Sequence, residues 1–494
     1  MKPARVFLFL LVVFLALGLL SWFFPPDGIQ LGPALNIRFP SLRDYLSEMI
    51  SQTGESEPSV QVSFRHDTSF VFFPGINRPA DIAGRGISDS ILPEDTGEQK
   101  DTFPDHIPFF LYPPEGDTLL FPFFRKLEKA RARGGSVHIF HYGDSQIEGD
   151  RISSFLREKW QTVFGGGGPG AFPATPVVDE TVSYRLRHSD NWKRTVFPDL
   201  VDSTRSARRL GFLMSTDRIQ TDSSRAQIIL EWYPRARTHA RKFEQAGFVY
   251  GQAADSFSFR MVINGEASNT CLLPPSENPR RISIPVEATG DGRVEFEISV
   301  QRSPVFYAFF LENTAGVQVH NIPVRGSAGL EFSRVNTGVW KESMEGMDPG
   351  LLILQFGINL VPGWNNQYEW YLARLTRELC FLKSLFPSVP VLVIGVSDMA
   401  RTGMNGPEPY TGAGEVRQAQ RLAATEAGCI FWDGCEAMGG PGSVVEWAHS
   451  DPPLARVDYT HFTYAGSRLF AVRLFESFHR EYMRYLSENP EHEP

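Results

Sequence analysis

The chain has 494 residues, of which 42% are apolar, 13% aromatic and 21% charged. This composition is typical of a globular protein with large cores, and the length predicts at least two folded units. Acidic residues outnumber basic ones by 57 to 48 and no basic run follows the N-terminus, which disfavours nucleic acid as a partner. The four cysteines lack the paired spacing of a zinc site, so we expect no metal and no cofactor. A Cys429–Cys435 disulfide and free thiols are both left open.

The N-terminus carries a candidate membrane segment. Lys2 and Arg5 precede an apolar run over residues 6–24, which is about long enough to cross a bilayer as a helix. The bulky residues at 20–26 do not resemble a signal-peptidase site, so residues 1–24 are predicted to be an uncleaved anchor. The basic residues before the run place the N-terminus in the cytoplasm and the rest of the chain outside. A cleaved signal peptide is the alternative and gives the same compartment.

The pattern after the anchor changes from a spacer to an α/β layer. Residues 25–117 are rich in Pro, Gly, Ser and acidic residues, and they are predicted to be an extracytoplasmic spacer. Residues 118–172 then begin a folded domain, with a helix predicted over 119–133. A β-rich run over 136–142 ends at Gly143-Asp144-Ser145, and a helix is predicted over 151–164.

A different period governs residues 173–316. Apolar residues alternate with polar ones, and the turn pairs Asn264-Gly265 and Asp291-Gly292 lie beside these alternating runs. We therefore predict a β-sandwich inserted into the first domain. The four glycines at 165–168 lack the Lys-Ser/Thr of a phosphate-binding loop, so they are predicted to be a flexible hinge into the insert.

The α/β pattern resumes over residues 317–494. Buried-strand runs at 351–355, 391–396 and 429–432 alternate with helices, of which the last is predicted over about 465–486. The predicted fold class is therefore a three-layer α/β/α domain with a parallel sheet, interrupted by a β-sandwich. In such sheets the reactive loops lie at the carboxyl ends of the strands.

The ends of this pattern carry the residues needed for serine catalysis. Ser145 lies directly between a strand and a helix, where its hydroxyl and backbone N–H would project from the edge of the sheet. Asp458 precedes His461 by three residues, a spacing that lets the carboxylate orient the imidazole toward the serine. A serine hydroxyl needs such a base, together with donors for the oxyanion. We therefore predict Ser145 as nucleophile, His461 as general base and Asp458 as its partner.

These residues are part of four blocks that resemble the SGNH/GDSL hydrolase family. The blocks occur in the family's order and are Gly143-Asp144-Ser145, Asn321 to Gly326, Gly357-Ile358-Asn359 and Asp458 to His461. The resemblance covers about 120–170 and 317–485 and implies an oxyanion hole made by Ser145, Gly326 and Asn359. Gln146 replaces the usual leucine, and Pro323 stands where a more flexible residue is usual, which weakens the match to the second block.

Several further segments resemble a bacterial subgroup similar to peptidoglycan O-acetylesterases, which also carry an inserted β-sandwich. These segments are 146–151 (QIEGDR), 397–399 (SDM), 437–440 (AMGG) and 458–466 (DYTHFTYAG). The resemblance implies a periplasmic esterase that removes O-acetyl groups from a polysaccharide such as peptidoglycan. Two alternatives remain, namely an O-acetyltransferase with the same triad and a non-catalytic glycan-binding protein. The sequence does not indicate the sugar, the acyl group or the oligomeric state.

Further polar and aromatic residues lie close to these blocks in the sequence. Gln146, Trp364 and Asp398 are candidate substrate contacts, although packing or structural roles are open for Trp364 and Asp398. His141 is close to Ser145 in sequence, but it lies on a strand with alternating side chains and is disfavoured as the base. Asp144 and Asp150 are expected to brace the loop through backbone hydrogen bonds.

Overall fold

A computed structural model describes residues 29–32, 35–37 and 107–489, except 115, 198–208, 235, 287–291, 366–367 and 405. The first two ranges form a small antiparallel hairpin of strands β1 (Ile29–Gly32) and β2 (Leu35–Ile37). The anchor predicted at 1–24 and most of the spacer predicted at 25–117 lie outside the described residues. Within the described ranges, no helix combines the length and the apolar character needed to cross a bilayer.

The remaining elements begin at residue 121. The helices are α1 (Phe121–Arg133), α2 (Ser153–Phe164), α3 (Thr337–Ser343), α4 (Tyr368–Leu385), α5 (Gly412–Glu426), α6 (Ser443–His449) and α7 (Tyr464–Glu488). The strands are β3 (Ser136–Gly143), β4 (Gly170–Phe172), β5 (Tyr184–His188), β6 (Trp192–Val196), β7 (Ser215–Ile219), β8 (Ser224–Trp232), β9 (Gln245–Gly251), β10 (Phe257–Ile263), β11 (Glu266–Ala267), β12 (Cys271–Leu273), β13 (Arg280–Pro285), β14 (Arg293–Val300), β15 (Val305–Glu312), β16 (Gly316–Pro323), β17 (Pro349–Gln355), β18 (Val391–Ile394), β19 (Ala400–Gly403), β20 (Gly406–Pro409) and β21 (Ile430–Trp432).

Five strands form a parallel sheet in the order β16-β3-β17-β18-β21. The strands are short apolar runs buried on both faces, as expected when helices cover a parallel sheet. Helices α1, α2 and α7 pack together through aromatic rings, with Trp160 in contact with both Phe123 and Phe478. Helices α4 and α5 pack into the other core, which includes Phe140 and Tyr142 of β3.

Two antiparallel sheets interrupt this layer between β3 and β16. One has the order β11-β10-β14-β8-β5, with β12 beside β10, and the other has the order β13-β9-β15-β7-β6, with β4 beside β15. Their facing sides share one core, in which the ring centroids of Phe248 and Phe259 lie 4.8 Å apart. The alternation seen in the sequence is the alternation of buried residues in β10 and β14. Asn264 and Gly265 both have positive φ, as a tight hairpin turn requires.

Strand β15 connects the two parts of the fold because both of its faces are buried. Phe306 and Phe309 point into the core between the antiparallel sheets. Tyr307 and Phe310 belong instead to the core that contains Phe140 of the parallel sheet. An irregularity between Phe306 and Ala308 in the pairing with β9 accompanies this division. The inserted sheets therefore cover part of the parallel sheet.

The glycines at 165–168 do not have the geometry of the hinge predicted from the sequence. Gly166 and Gly168 both have positive φ, and a Cβ at either position would collide with a backbone carbonyl, that of Val317 or of Leu311. The amide of Val317 also donates to the carbonyl of Gly165 at 2.9 Å. The chain enters and leaves the insert along a closely packed seam, and glycine is required there for close approach.

The disulfide considered between Cys429 and Cys435 is not formed. All four cysteines are free; Cys429 lies buried directly before β21, and Cys435 lies buried three residues after its end. Because an extended strand rises by about 3.3 Å per residue, two cysteines six residues apart across it are too far apart to bridge.

Candidate active site

Ser145 follows β3 in a tight turn at the carboxyl edge of the parallel sheet. Asp144 begins the turn, and its side chain accepts a hydrogen bond from the amide of Gln146 at 3.0 Å. A helical turn over Ser145–Asp150 follows. The side chain of Ser145 remains partly accessible, whereas its neighbours on both sides are buried. Within residues 144–146, therefore, only the side chain of Ser145 is accessible to solvent.

Ser145, His461 and Asp458 form a continuous hydrogen-bonded chain. The Oγ of Ser145 lies 2.9 Å from Nε2 of His461, and Nδ1 of His461 lies 2.9 Å from Oδ2 of Asp458. The other carboxylate oxygen of Asp458 accepts the backbone amides of Thr460 and His461, both at 3.0 Å. With the Nδ1 proton directed at the carboxylate, Nε2 is free to accept the serine proton.

The electrostatics of Asp458 suit this role. Burial raises the pKa of the carboxyl, but hydrogen bonds from the backbone and ring of His461 and from the amide of Thr460 lower it more. The net pKa is below the usual range, so the group is a carboxylate at neutral pH. Tyr459 between them has φ of 51°, a left-handed conformation that closes the turn and brings the acid back to the imidazole.

The two other predicted oxyanion donors lie on loops that follow the strands flanking β3. Gly326 follows β16, is exposed and has φ of 78°. Asn359 follows β17 and donates from Nδ2 to the carbonyl oxygen of Ser327 at 2.9 Å. Because β16 and β17 flank β3 and the carboxyl ends of parallel strands meet at one edge, the loops of Ser145, Gly326 and Asn359 lie at the same edge of the sheet.

Asp144 holds the serine turn against the loop of Asn359. Its side chain is buried and accepts the amide of Ile358 at 3.3 Å in addition to that of Gln146. Burial raises the pKa of Asp144 to about 7, although the backbone amides around it oppose the shift. Asp150 has a comparable structural role, because it pairs with the buried guanidinium of Arg157 at 2.5 Å. The contacts of Asp144 agree with the backbone hydrogen bonds expected from the sequence, whereas Asp150 is held by a side chain instead.

The predicted substrate contacts have different surroundings from those expected. Gln146 is 1% exposed, and both ends of its amide bond to the histidine loop. Asp398 is 6% exposed and accepts the amides of Gly442 and Val444 at the start of α6. We correct both predictions, because these side chains are already bonded within the protein.

Trp364 is partly accessible and packs against the protein on one side. Its indole N–H donates to Glu415 at 2.6 Å, and its ring contacts Tyr371 edge to face at 6.1 Å. The packing role left open in the sequence is therefore present.

His141 is fully buried and lies away from the triad. Its Nδ1 is 2.8 Å from Oγ of Ser153, and its Nε2 is 3.1 Å from Oε1 of Gln355. Burial lowers the pKa of His141 to about 4. The ring is a neutral part of the interior beneath the serine turn, which agrees with its rejection as the base.

An ion pair that the sequence did not reveal also lies beside the serine turn. Arg325, next to Gly326, donates from Nε to Oε1 of Glu148 at 2.6 Å, and its Nη2 contacts the other oxygen. Glu148 is nearly buried, whereas the side chain of Arg325 is 53% exposed, and the bidentate geometry fixes the orientation of the two groups. The pair ties the loop of Gly326 to the turn of Ser145. The two residues are 177 positions apart, so only the fold brings them together.

One group of side chains in the described residues has the composition of a metal site. His138, Glu312 and His320 each offer a ligand atom within 4.8 Å of the others. However, the amide of Ala171 donates to Nδ1 of His320 at 3.0 Å, which leaves the ring proton on Nε2. That proton lies between Nε2 of His320 and Nδ1 of His138, which are 2.9 Å apart.

These bonds leave no lone pair of His320 for a metal ion. Glu312 is paired with the guanidinium of Arg281, which adds a positive charge beside the group. Burial lowers the pKa of His138 to about 3, so the two rings remain neutral. The group is a buried hydrogen-bonded contact between the parallel sheet and the inserted sheets.

Comparison with solved structures places this geometry on a known fold. A peptidoglycan O-acetylesterase is similar with a TM-score of 0.58 and 20% identity, over 74% of this chain and 96% of that chain. A GDSL-like lipase from Parabacteroides merdae has a TM-score of 0.26 and 18% identity, over 33% of this chain and 72% of its own. A lipase/acylhydrolase from Enterococcus faecalis has a TM-score of 0.25 and 19% identity, over 33% and 76%. The last two overlaps are too small to carry an argument.

The first similarity extends into the inserted sheets, because the α/β residues alone make up only about half of the chain. It shows the fold, and the prediction of a mixed α/β fold with a parallel sheet is confirmed. The resemblance to SGNH hydrolases found in the sequence is confirmed at this level. No protein-family model matches the chain, and no curated protein sequence matches it.

Proposed function

We propose that this protein is a serine esterase that removes O-acetyl groups from a polysaccharide outside the cytoplasm, with peptidoglycan as the favoured substrate. The observation that carries the proposal is the chain of two 2.9 Å contacts from Ser145 through His461 to Asp458. A serine hydroxyl in this arrangement can lose its proton as it attacks a carbonyl. The donors at Ser145, Gly326 and Asn359 support the same chemistry.

The proposed reaction has two steps. The Oγ of Ser145 bonds to the acetyl carbon while Nε2 of His461 takes the hydroxyl proton. The tetrahedral oxyanion is stabilised by the amides of Ser145 and Gly326 and by the side chain of Asn359. When the intermediate collapses, the sugar oxygen leaves and takes the proton from His461. Water then attacks the acetyl-enzyme as His461 accepts its proton, and the return of that proton to Ser145 releases acetate.

The choice of substrate rests on the fold. The similar solved structure is that of a peptidoglycan O-acetylesterase, and the similarity includes the inserted sheets. The insert also reaches the serine turn, because the amide of Val182 donates to the carbonyl of Gly149 at 2.9 Å, and such a surface can hold an extended glycan while one ester reaches the hydroxyl. These two observations favour an acetylated polysaccharide over a lipid ester.

The location outside the cytoplasm is also a proposal. Its support is the apolar run over 6–24, which follows Lys2 and Arg5. Cys271 is exposed on the inserted sheets and can be labelled with a membrane-impermeant maleimide in spheroplasts of an expression host. We expect labelling without lysis, and a variant in which both exposed cysteines, Cys271 and Cys380, are replaced by serine gives the background. Labelling only after lysis would contradict the proposed orientation.

The esterase proposal is tested with the full chain in detergent and p-nitrophenyl acetate as substrate. Ser145→Ala should abolish hydrolysis, because no other group replaces the nucleophile; undiminished activity would refute the proposal. Acetate released from acetylated peptidoglycan and from other acetylated polysaccharides, measured by mass spectrometry, then compares the substrates. Transfer of the acetyl group to an added sugar acceptor, without release of free acetate, would indicate an acetyltransferase instead.

A further inference from the structure

The loop that carries His461 projects from the fold. Asp458 is exposed, Tyr459 is partly exposed, and Val457 is 81% exposed. Within the loop, the amide of Arg456 donates to the carbonyl of His461 at 2.8 Å. That bond shapes the loop but does not fix its distance from Ser145. The amide of Ala400 donates to the carbonyl of Tyr459 at 3.0 Å, and two side chains of the serine turn make the contacts that lie next to His461 itself.

Gln146 spans His461 from the serine side. Its Oε1 accepts the amide of Phe462 at 3.1 Å, and its Nε2 donates to the carbonyl of Thr460 at 3.0 Å. One side-chain amide thus pairs with the peptide groups immediately before and after the histidine. Because Gln146 is buried, water does not compete strongly for these bonds.

Arg151 makes a second bridge at the other end of the turn. Its Nη1 donates to the carbonyl of Phe462 at 2.9 Å, and its Nη2 donates to the carbonyl of Ser145 at 3.0 Å. Its Nε also donates to the carbonyl of Glu148 at 2.8 Å. A single planar guanidinium therefore joins the nucleophile residue to the residue that follows the base.

We infer that Gln146 and Arg151 are positioning residues that set the distance between the Oγ of Ser145 and Nε2 of His461. The inference rests on the proposed esterase function. A general base must lie within about 2.6–3.2 Å of the group it deprotonates, and a misplacement of about 1 Å can lower a rate by about 10²-fold. Neither side chain is needed to bind the acyl group, so loss of these bonds lowers kcat more than it changes KM.

The test compares two buried glutamines. Gln146→Met keeps the side-chain length but removes both bonds to the histidine loop. Gln161→Met is the matched control, because Gln161 is also 1% exposed and donates to the backbone carbonyl of Val317 at 3.1 Å, away from that loop. Both variants lose a buried amide, so both should lower the melting temperature of the full chain.

Of these two methionine variants, only Gln146→Met should lower kcat for p-nitrophenyl acetate. The decrease should be about 10-fold or more, with KM within about threefold of the original. Gln146→Glu keeps the acceptor for Phe462 and should retain an intermediate kcat, and it replaces the methionine variant if that variant does not fold. Arg151→Lys, which cannot span the same carbonyls, should also lower kcat.

A kcat within twofold of the original in Gln146→Glu and Gln146→Met, with Ser145→Ala inactive, overturns the inference and leaves the esterase proposal intact. An active Ser145→Ala overturns both.

Discussion

The side-chain amide of Asn359 donates to the carbonyl oxygen of Ser327, one residue beyond Gly326, at 2.9 Å. An asparagine amide has two N–H groups, so this bond fixes the plane of the amide and leaves a second donor. The same contact joins the loop after β17 to the loop after β16. Two proposed oxyanion donors are thereby held in one arrangement before substrate binds, which is the condition for effective electrostatic stabilisation.

Replacement of this donor should slow the chemical step. Asn359→Ala is expected to lower kcat by about 10²-fold or more, because loss of one oxyanion donor typically has an effect of this size. Hydrolysis of p-nitrophenyl acetate by the full chain measures it. Asn365→Ala, in the exposed continuation of the same loop, is the control and should retain the original kcat. A kcat for Asn359→Ala within threefold of the original would remove Asn359 from the oxyanion hole.

Asp458 should matter through the orientation and tautomer of His461. Asp458→Asn offers an amide in place of the carboxylate, so the ring loses the charged acceptor that holds its proton on Nδ1. We expect kcat to fall by about 10²- to 10⁴-fold. Asp190→Asn, in an exposed turn between β5 and β6, serves as a control that should retain full activity. Equal activity of the two variants would show that His461 does not depend on Asp458.

The buried ring of His141 predicts a pH-dependent stability difference. The folded pKa of about 4 lies below the unfolded value of about 6.5, so the unfolded chain binds the extra proton. This contribution is complete above pH 6.5 and is lost as the pH falls toward 4, at about 1.4 kcal/mol per pH unit. The glutamine side chain in His141→Gln does not titrate, so the variant lacks this pH-dependent contribution to the free energy of unfolding.

The measurement is the free energy of unfolding of both proteins by denaturant at several pH values. The advantage of the original protein over His141→Gln should shrink by about 3 kcal/mol between pH 7 and pH 4. Other titrating groups are common to both proteins and largely cancel in the difference. A difference that stays constant over this range would show that His141 is protonated in the folded state or reached by water.

The glycine seam predicts a large cost for a single methyl group. Gly168→Ala would place a Cβ against the carbonyl of Leu311, in addition to the strain of positive φ. Gly134→Ala is the matched control, because Gly134 has φ of 79° and open space around its Cβ position. We expect Gly168→Ala to lose at least about 1–2 kcal/mol more unfolding free energy than Gly134→Ala. Equal losses in denaturant unfolding would support the hinge predicted from the sequence.

The parts of this fold that are encoded locally could be predicted from the sequence. The alternation in β10 and β14 and the apolar runs of β17 and β18 each depend on neighbours in the chain, and the strands lie where these patterns indicated. The hydrogen-bonded residues of the proposed triad could be singled out because Asp458 and His461 belong to one short segment and Ser145 to a recognisable turn. The distance between these segments, 2.9 Å from Ser145 to His461, was a hypothesis that needed coordinates.

The errors concern residues whose roles depend on distant segments. Gln146 was predicted to face substrate because it follows the nucleophile, but the loop of Thr460 and Phe462 covers it. Asp398 was placed at a reactive strand end, yet the start of α6 uses its carboxylate. The contact between Arg325 and Glu148 had no local signal at all. When a distant segment of the chain buries a residue, the sequence around that residue does not indicate the burial.

The position of strand β15 determines how cooperatively this protein unfolds. Because its two faces are shared between the core of the inserted sheets and the core of the parallel sheet, neither part can melt without exposing apolar surface of the other. Calorimetry should therefore record a single heat-absorption peak for the two parts. Excision of the insert would expose apolar side chains of the parallel-sheet core to water, so it would not yield a smaller active protein.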